Sequence, residues 1–382
     1  MRPVRLAVLA TLSVLATSRP AAAAAAEEVT IGALLSVTGP AAFLGAPEAR
    51  TLEMLTEQVN ARGGIAGHRV RLIVKDTGGS PEKAVSFAKQ LIDEEKVFAI
   101  LGPSTSGETM AVKAIAEEAR TLLISLAAAE VIVNPVASNV FKTAQKDSHA
   151  AALIFQDMKK RGITRIAVFS SNTGFGKAGK EQIAKLAPDF GIQIVLDEVY
   201  DKAATDLSAE ATKLKGSNAQ AVLNWSIEPA QSILVKNIRQ LGISIPVYQS
   251  HGFGNLAYVK AAGPAAEGVI FPLGRLAVAD ALPASNPQKA VLVAYRDAYQ
   301  KKYGEEVSGF GGYAWDAFQL LALAIEKVGL DRAKVRSALE STQGFVGQSG
   351  VFTFSPTDHN GLGMDSFEML TVKNGRFVPL GN

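Results

Sequence analysis

Short, continuously apolar runs alternate with amphipathic stretches along most of this chain, and that rhythm restricts the fold more than any other feature. Residues 29–34, 70–75 and 97–101 read as strands, and 48–61, 81–94 and 108–119 as the helices that alternate with them. Ser80 and Pro81 give the second helix a clean start, with an N-cap side chain followed by proline at the first helical position. The rhythm resumes with strands at 166–170, 192–199 and 221–225 and helices at 177–186, 208–214 and 229–241. Strands rich in Val, Ile and Leu throughout are buried on both faces, as in a parallel sheet with helices on either side. Two such series, separated near 143–149, predict an α/β protein of two doubly wound, three-layer lobes. Helices at 287–302, 313–328 and 332–339 and short strands near 351–354 and 367–372 complete the pattern.

The N-terminus predicts the compartment. Arg2 and Arg5 precede an apolar run over 6–16, and an alanine tract over 21–26 leads to Glu27 and Glu28. That order is a secretory signal peptide, here residues 1–26. The run is shorter than the roughly 20 residues needed to span a bilayer, so the mature protein is expected to be exported and soluble. Cleavage would remove Arg2, Arg5 and Arg19, leaving 36 basic against 36 acidic residues in place of 39 against 36. The basic balance of the full chain is therefore no nucleic-acid footprint. There is no cysteine, which excludes disulfides, thiolate metal sites and a lipidated N-terminal cysteine. The four histidines, His68, His149, His251 and His359, lack metal-ligand spacing, and neither a metal nor a cofactor is expected.

Two loops carry chemistry. Gly174-Phe175-Gly176-Lys177-Ala178-Gly179 fits G-x-G-x-x-G between a strand and a helix, with Asp197 ending the next strand. It allows a nicotinamide-dependent oxidoreductase. Against that, Ser171-Asn172-Thr173 lengthens the turn, and the plainer reading is a glycine-rich loop at a lobe edge. The second loop, Gly102-Pro103-Ser104-Thr105-Ser106-Gly107, offers hydroxyls and free backbone N–H groups at a helix N-terminus, a ready anion site. Its plainer reading is a pair of serines that merely cap the helix. Ser125-Leu126-Ala127-Ala128-Ala129 follows the next strand, and ligands of open α/β sheets sit beyond strand carboxyl ends, so both loops are candidate walls.

With these motifs in place, nearly the whole mature chain resembles the branched-chain amino-acid (Leu/Ile/Val-type) binding proteins of ABC transporters. The likeness is carried by Ile31-Gly32-Ala33-Leu34-Leu35-Ser36-Val37-Thr38-Gly39-Pro40, Asn60-Ala61-Arg62-Gly63-Gly64-Ile65-Ala66-Gly67, Asp76-Thr77 and residues 102–109. Thr205-Asp206-Leu207-Ser208, Tyr313-Ala314-Trp315-Asp316-Ala317 and Gly347-Gln348-Ser349-Gly350 follow in order. The resemblance implies a type I periplasmic binding-protein fold with three crossings, near Lys146, Arg275 and Gln348. One lobe would take 27–146 and 276–348, and the other 147–275 and 349–382. It implies a periplasmic monomer that catalyses nothing, closes on a small molecule by population shift and presents it to a membrane permease.

The family pocket carries over in part. Its carboxylate-binding serine falls on Ser106, next to Ser104. The threonine that helps bind the ligand's amino group is Ala129, after Ala127 and Ala128, and the acidic residue facing that ammonium is His251. The tyrosine of the third loop is Phe175, and Phe43-Leu44 stand where an aromatic is usual. An ammonium buried without acceptors costs several kcal/mol or more. The expected ligand is therefore a small carboxylate without an α-amino group, an aromatic or other apolar acid walled by Phe43, Leu44, Phe175, Trp225 and Phe253. His251, facing its polar end, would make affinity vary between roughly pH 5 and 8. The alternative is an amino-acid receptor in which Glu228 replaces the lost acidic partner.

Overall fold

The computed structural model describes residues 28–381; the leader predicted over 1–26 lies outside them. The first lobe is built on β1 (Glu28–Leu35), α1 (Ala42–Ala61), β2 (Arg69–Asp76), α2 (Pro81–Lys89), β3 (Ala99–Leu101), α3 (Ser106–Glu118), β4 (Leu122–Ser125) and β5 (Val140–Lys142). Its five strands are parallel and ordered β2-β1-β3-β4-β5. The alternate faces of β1 enter different cores. Ile31, Ala33 and Leu35 pack with Leu52 and Leu55 of α1, while Leu34 packs with Ala84, Leu91 and Val112. A Cβ at Gly32 would sit 2.8 Å from Leu91 Cδ1, so the helix layer lies directly on the strand there.

The second lobe contains α4 (Asp147–Lys160), β6 (Arg165–Ser171), α5 (Gly174–Leu186), β7 (Gln193–Tyr200), α6 (Ser208–Thr212), β8 (Ala221–Trp225), α7 (Ala230–Gln240), β9 (Val247–Gln249), α8 (Leu256–Ala262) and β10 (Ile270–Leu273). The chain then returns to the first lobe with α9 (Lys289–Tyr303), α10 (Gly309–Val328) and α11 (Arg332–Glu340). Ala317 and Leu321 of α10 join the core of β1 and α1. A small hairpin, β11 (Phe345–Val346) and β12 (Val351–Phe352), precedes β13 (Glu368–Lys373) and β14 (Arg376–Pro379), which extend the second sheet. That sheet runs β14-β13-β10-β9-β8-β6-β7, with parallel pairing from β10 to β7, and only β13 runs against the others, pairing antiparallel with both β10 and β14.

Two departures from the sequence pattern have physical causes. Helix α4, with Lys146 at its N-cap where the first crossing is expected, fills a stretch for which the sequence pattern predicts no helix, its buried face made of Ala150, Ala151, Ile154, Phe155 and Met158. Helix α1 starts six residues before Glu48 and contains Pro47. Proline removes the N–H that would bind the carbonyl four residues earlier. Here that carbonyl, Phe43 O, accepts Asn255 Nδ2 of the second lobe at 2.9 Å, so the helix continues through its missing bond.

Candidate ligand-binding site

In both sheets the strand order reverses around the first strand of its series, between β1 and β3 and between β6 and β8. Loops leaving those strands part at the reversal and leave a crevice, the usual ligand position in open α/β sheets. The two crevices face each other. Between them lies a cavity of about 20 Å³ whose lining includes Leu44, Ser104, Ser106, Ala127, Ala128, Phe175 and His251. Leu126, Ile227, Gly252, Phe310 and Tyr313 complete it. Such a volume takes about one or two waters, so any organic ligand requires the lobes to part first.

The anion loop is organised by a residue between the two serines. Thr105 caps α3: its Oγ1 accepts the Glu108 N–H at 3.3 Å, and its own N–H donates to Glu108 Oε2 at 3.2 Å. With the cap supplied by Thr105, neither serine is needed for it. Ser106 Oγ accepts the Ala129 N–H at 3.2 Å, which leaves its own hydrogen to donate elsewhere. Ser104 Oγ accepts the Ser36 N–H at 3.0 Å and is bonded to Glu48 Oε2.

The alanine wall is fixed through its backbone. Ala127 N–H donates to Ser125 Oγ at 3.1 Å, and Glu130 N–H to Asp147 Oδ1 at 3.1 Å. Ala128 O accepts the fully buried Lys142 ammonium at 2.8 Å, whose other two hydrogens go to Ala144 O at 2.8 Å and Gln145 O at 3.1 Å. Burial lowers Lys142 to about 7, against the pull of Asp147. The wall is thereby tied to the first crossing. The β11–β12 turn, where the third crossing was expected, is held instead to the first lobe by buried Asp316, which accepts Gln348 N–H at 2.6 Å, Ser349 N–H at 2.8 Å and the Ser349 hydroxyl. A Cβ at Gly347 would fall 2.4 Å from Asp316 Oδ1, so the turn must carry glycine.

From the second lobe, Phe175 and His251 reach the cavity. His251 is 2% exposed, neither ring nitrogen has a partner, and Phe175, Trp225 and Phe367 stand edge-on at 5.5–5.8 Å. Burial, with a smaller push from Lys142, lowers its pKa to about 3. The imidazole is therefore neutral between pH 5 and 8, and the titration expected there from its sequence position does not occur. Glu228 lines the outer part of the cleft, about 180 Å³, with Thr105, Gly107 and Gly174. Its Oε2 accepts the Ser226 hydroxyl at 2.7 Å and Ile227 N–H at 3.2 Å, leaving Oε1 available.

Four expected wall residues lie elsewhere. Phe253 belongs to the second lobe's core, against Tyr258 and Phe271, because the turn after β9 folds it back onto the sheet. Trp225 is wholly buried behind Phe175 and His251. Phe43 packs edge-on against Tyr258 at 4.9 Å, across the lobe boundary. Ala129 is covered once its N–H turns toward Ser106. Conversely, Phe310 and Tyr313 reach the cavity from the first turns of α10. The Tyr313-Ala314-Trp315-Asp316-Ala317 motif was visible, but nothing in its pattern says that its first residue faces a cleft.

The G-x-G-x-x-G loop is explained by packing. A Cβ at Gly174 would lie 2.7 Å from Gly107 Cα, one at Gly176 2.0 Å from Ser171 O, and one at Gly179 2.0 Å from Trp225 Nε1. Each glycine permits a close approach to protein, and Asp197 pairs with Lys180 at 2.9 Å. The dinucleotide alternative loses its structural basis.

Two lobes with facing crevices, three crossings and a small cavity between them define a two-lobed solute receptor. The chain belongs to the periplasmic binding protein family, whose model matches residues 28–376. This family is exported to the periplasm and delivers small molecules to ABC permeases. Among the described residues no helix is long and apolar enough to cross a membrane. The chain is similar to Leu/Ile/Val-binding protein homolog 3 of Brucella melitensis, 26% identical over 94% of this chain and 95% of the relative. It is also similar to a leucine-, isoleucine-, valine-, threonine- and alanine-binding protein of Pseudomonas aeruginosa, 27% identical over 83% of each. Among solved structures, an extracellular ligand-binding receptor from Rhodopseudomonas palustris HaA2 superposes with a TM-score of 0.87. It is 27% identical, covering 92% of this chain and 99% of that one. A branched-chain amino acid transporter substrate binding protein from Streptococcus pneumoniae, in complex with isoleucine, gives 0.81 at 26% identity, covering 92% and 98%.

Proposed function

We propose that this receptor captures a small carboxylate with an apolar or aromatic body and no α-amino group. The observation that carries the reading is His251, a neutral imidazole with both nitrogens unpartnered, lining the cavity where the resemblance expects an acid. A neutral imidazole has one donor and one acceptor, suited to a hydroxyl, a carbonyl or a carboxylate, and it cannot balance an ammonium charge. Ser106 supports the other end, because its hydroxyl hydrogen is free and it begins α3, where the helix dipole favours an anion. Phe175, Phe310, Tyr313 and Leu44 supply the apolar body contacts.

A second reading has its own support. Glu228 Oε1 is available beside Gly174 and Phe175, and several relatives are named for Leu, Ile and Val. In that reading Glu228 pairs with an amino acid's ammonium. A thermal-shift screen of leucine, isoleucine and valine against benzoate, hydroxybenzoates and isocaproate separates the two, since a ligand that binds only the folded state raises Tm. Shifts with the simple acids are expected. Large shifts with the amino acids alone would overturn the first reading and favour Glu228.

A further inference from the structure

Glu48, on α1 behind the cavity wall, has no exposed surface. Its Oε2 is bonded to Ser104 Oγ, and its Oε1 has no partner. Ser104 lines the cavity and already accepts the Ser36 N–H. A serine hydroxyl has a single hydrogen to give. When Glu48 is ionised, that hydrogen is committed to the carboxylate. When Glu48 is neutral, the carboxyl proton donates to Ser104, and the serine hydrogen is released to another acceptor. We infer that Glu48 is a positioning residue that controls, through Ser104, whether the cavity offers a second hydroxyl donor beside Ser106 to an anionic ligand. The inference rests on the carboxylate end of the proposed function and is indifferent to the rest of the ligand.

The surroundings favour the neutral form near neutrality. Burial raises the Glu48 carboxyl to about 8, opposed by the Ser104 bond and reinforced by Glu108. Glu108, on α3, is held by Ser36 Oγ at 2.9 Å and Thr105 Oγ1 at 2.6 Å. Tyr313 and Asp316 of α10, and Tyr295 of α9 through its bond to Thr51, also pack on this part of α1, and Tyr299, Tyr303 and Glu305 gather around Arg50 just beyond it. Burial holds the Tyr313 and Tyr295 hydroxyls well above their ordinary range. As pH rises through about 8, the cavity exchanges a donor for a nearby negative charge.

The test is calorimetry with benzoate, isocaproate and leucine between about pH 6.5 and 9.5, on the wild type, Glu48→Gln and Ser104→Ala. Loss of one charge-assisted bond corresponds to roughly 10- to 150-fold in Kd. The wild type should weaken by that amount across the range. Glu48→Gln, whose amide can always donate to Ser104, should keep the neutral-pH affinity and lose most of the slope. Ser104→Ala should be weak throughout. Lys142 also titrates near neutrality, so only the slope that Glu48→Gln removes belongs to Glu48. Infrared difference spectra of the protein without added ligand give an independent readout: because Asp316 and Asp147 are also raised by burial, the diagnostic band is the protonated-carboxyl component at pH 6.5 that is lost at pH 9.5 and missing from Glu48→Gln when compared with the wild type. An unchanged slope in Glu48→Gln, or no such band, overturns the inference. If none of the three acids binds at any pH, the proposed ligand class fails instead, and the band alone decides the state of Glu48.

Discussion

Ser106 and Thr105 are neighbours with separable tasks, and substitution should divide them. Ser106→Ala removes a donor to the anion, worth about 1.5–3 kcal/mol, and should weaken carboxylate binding roughly 10- to 150-fold by calorimetry. Thr105→Ala removes the α3 cap, costing about 1 kcal/mol of stability, and should leave affinity nearly intact. Equal affinity losses would mean that the serine acts only through the helix. His251 supports a pH prediction. Its folded pKa, about 3, lies below the unfolded value near 6.5, so between those limits the unfolded chain binds the extra proton. Stability therefore falls as pH drops from about 6.5 to 3, by several kcal/mol at most. Glu48 and Asp316 have raised pKa values and act in the opposite sense, so the effect is read as wild type minus His251→Phe in urea melts at each pH. A pH-independent difference would show that the imidazole is not held neutral. The candidacy of Ser106 and His251 was legible from motif position. The state of His251 was not, because burial and aromatic neighbours set it, and both come from distant segments.

The helices and strands follow from apolar periodicity, and their ends from local chemistry such as Ser80 before α2 or Asp331 before α11, whose carboxylate accepts two backbone N–H groups. Periodicity does not say which helix ends meet across the cleft. The N-termini of α3 and α5 do so at Gly107 and Gly174. Gly174 lacks the left-handed φ that favours glycine, and a Cβ there would clash only with Gly107 and Ser106, across the cleft. Gly174→Ala should therefore leave Tm without ligand almost unchanged while weakening ligand binding by about 10-fold or more, because the closed state pays for the overlap. Gly107→Ala is the control: its Cβ would lie 3.7 Å from Gly174 N, an ordinary contact. Equal effects from the two would locate the cost within a lobe.

Across the whole molecule, two sheets share one chain that leaves the first after Lys142, returns after Leu273 and leaves again beyond Phe352. The doubled strand–helix series made two lobes legible. The ties between crossings, such as Gln145 Nε2 on Ser349 O at 2.8 Å and Lys146 with Asp358 at 3.2 Å, were not, since they join residues about 200 positions apart. One such long-range tie follows from an absence. Because Pro47 has no N–H, Phe43 O is left for Asn255 of the opposite lobe. On opening, water can take both groups, and a bond exchanged for water is worth only about 0.5–1.5 kcal/mol. The contact aligns the lobes as they meet without holding them shut. This one bond therefore adds little to the barrier against release, and whatever else joins the lobes, such as Phe43 on Tyr258, must be parted as well.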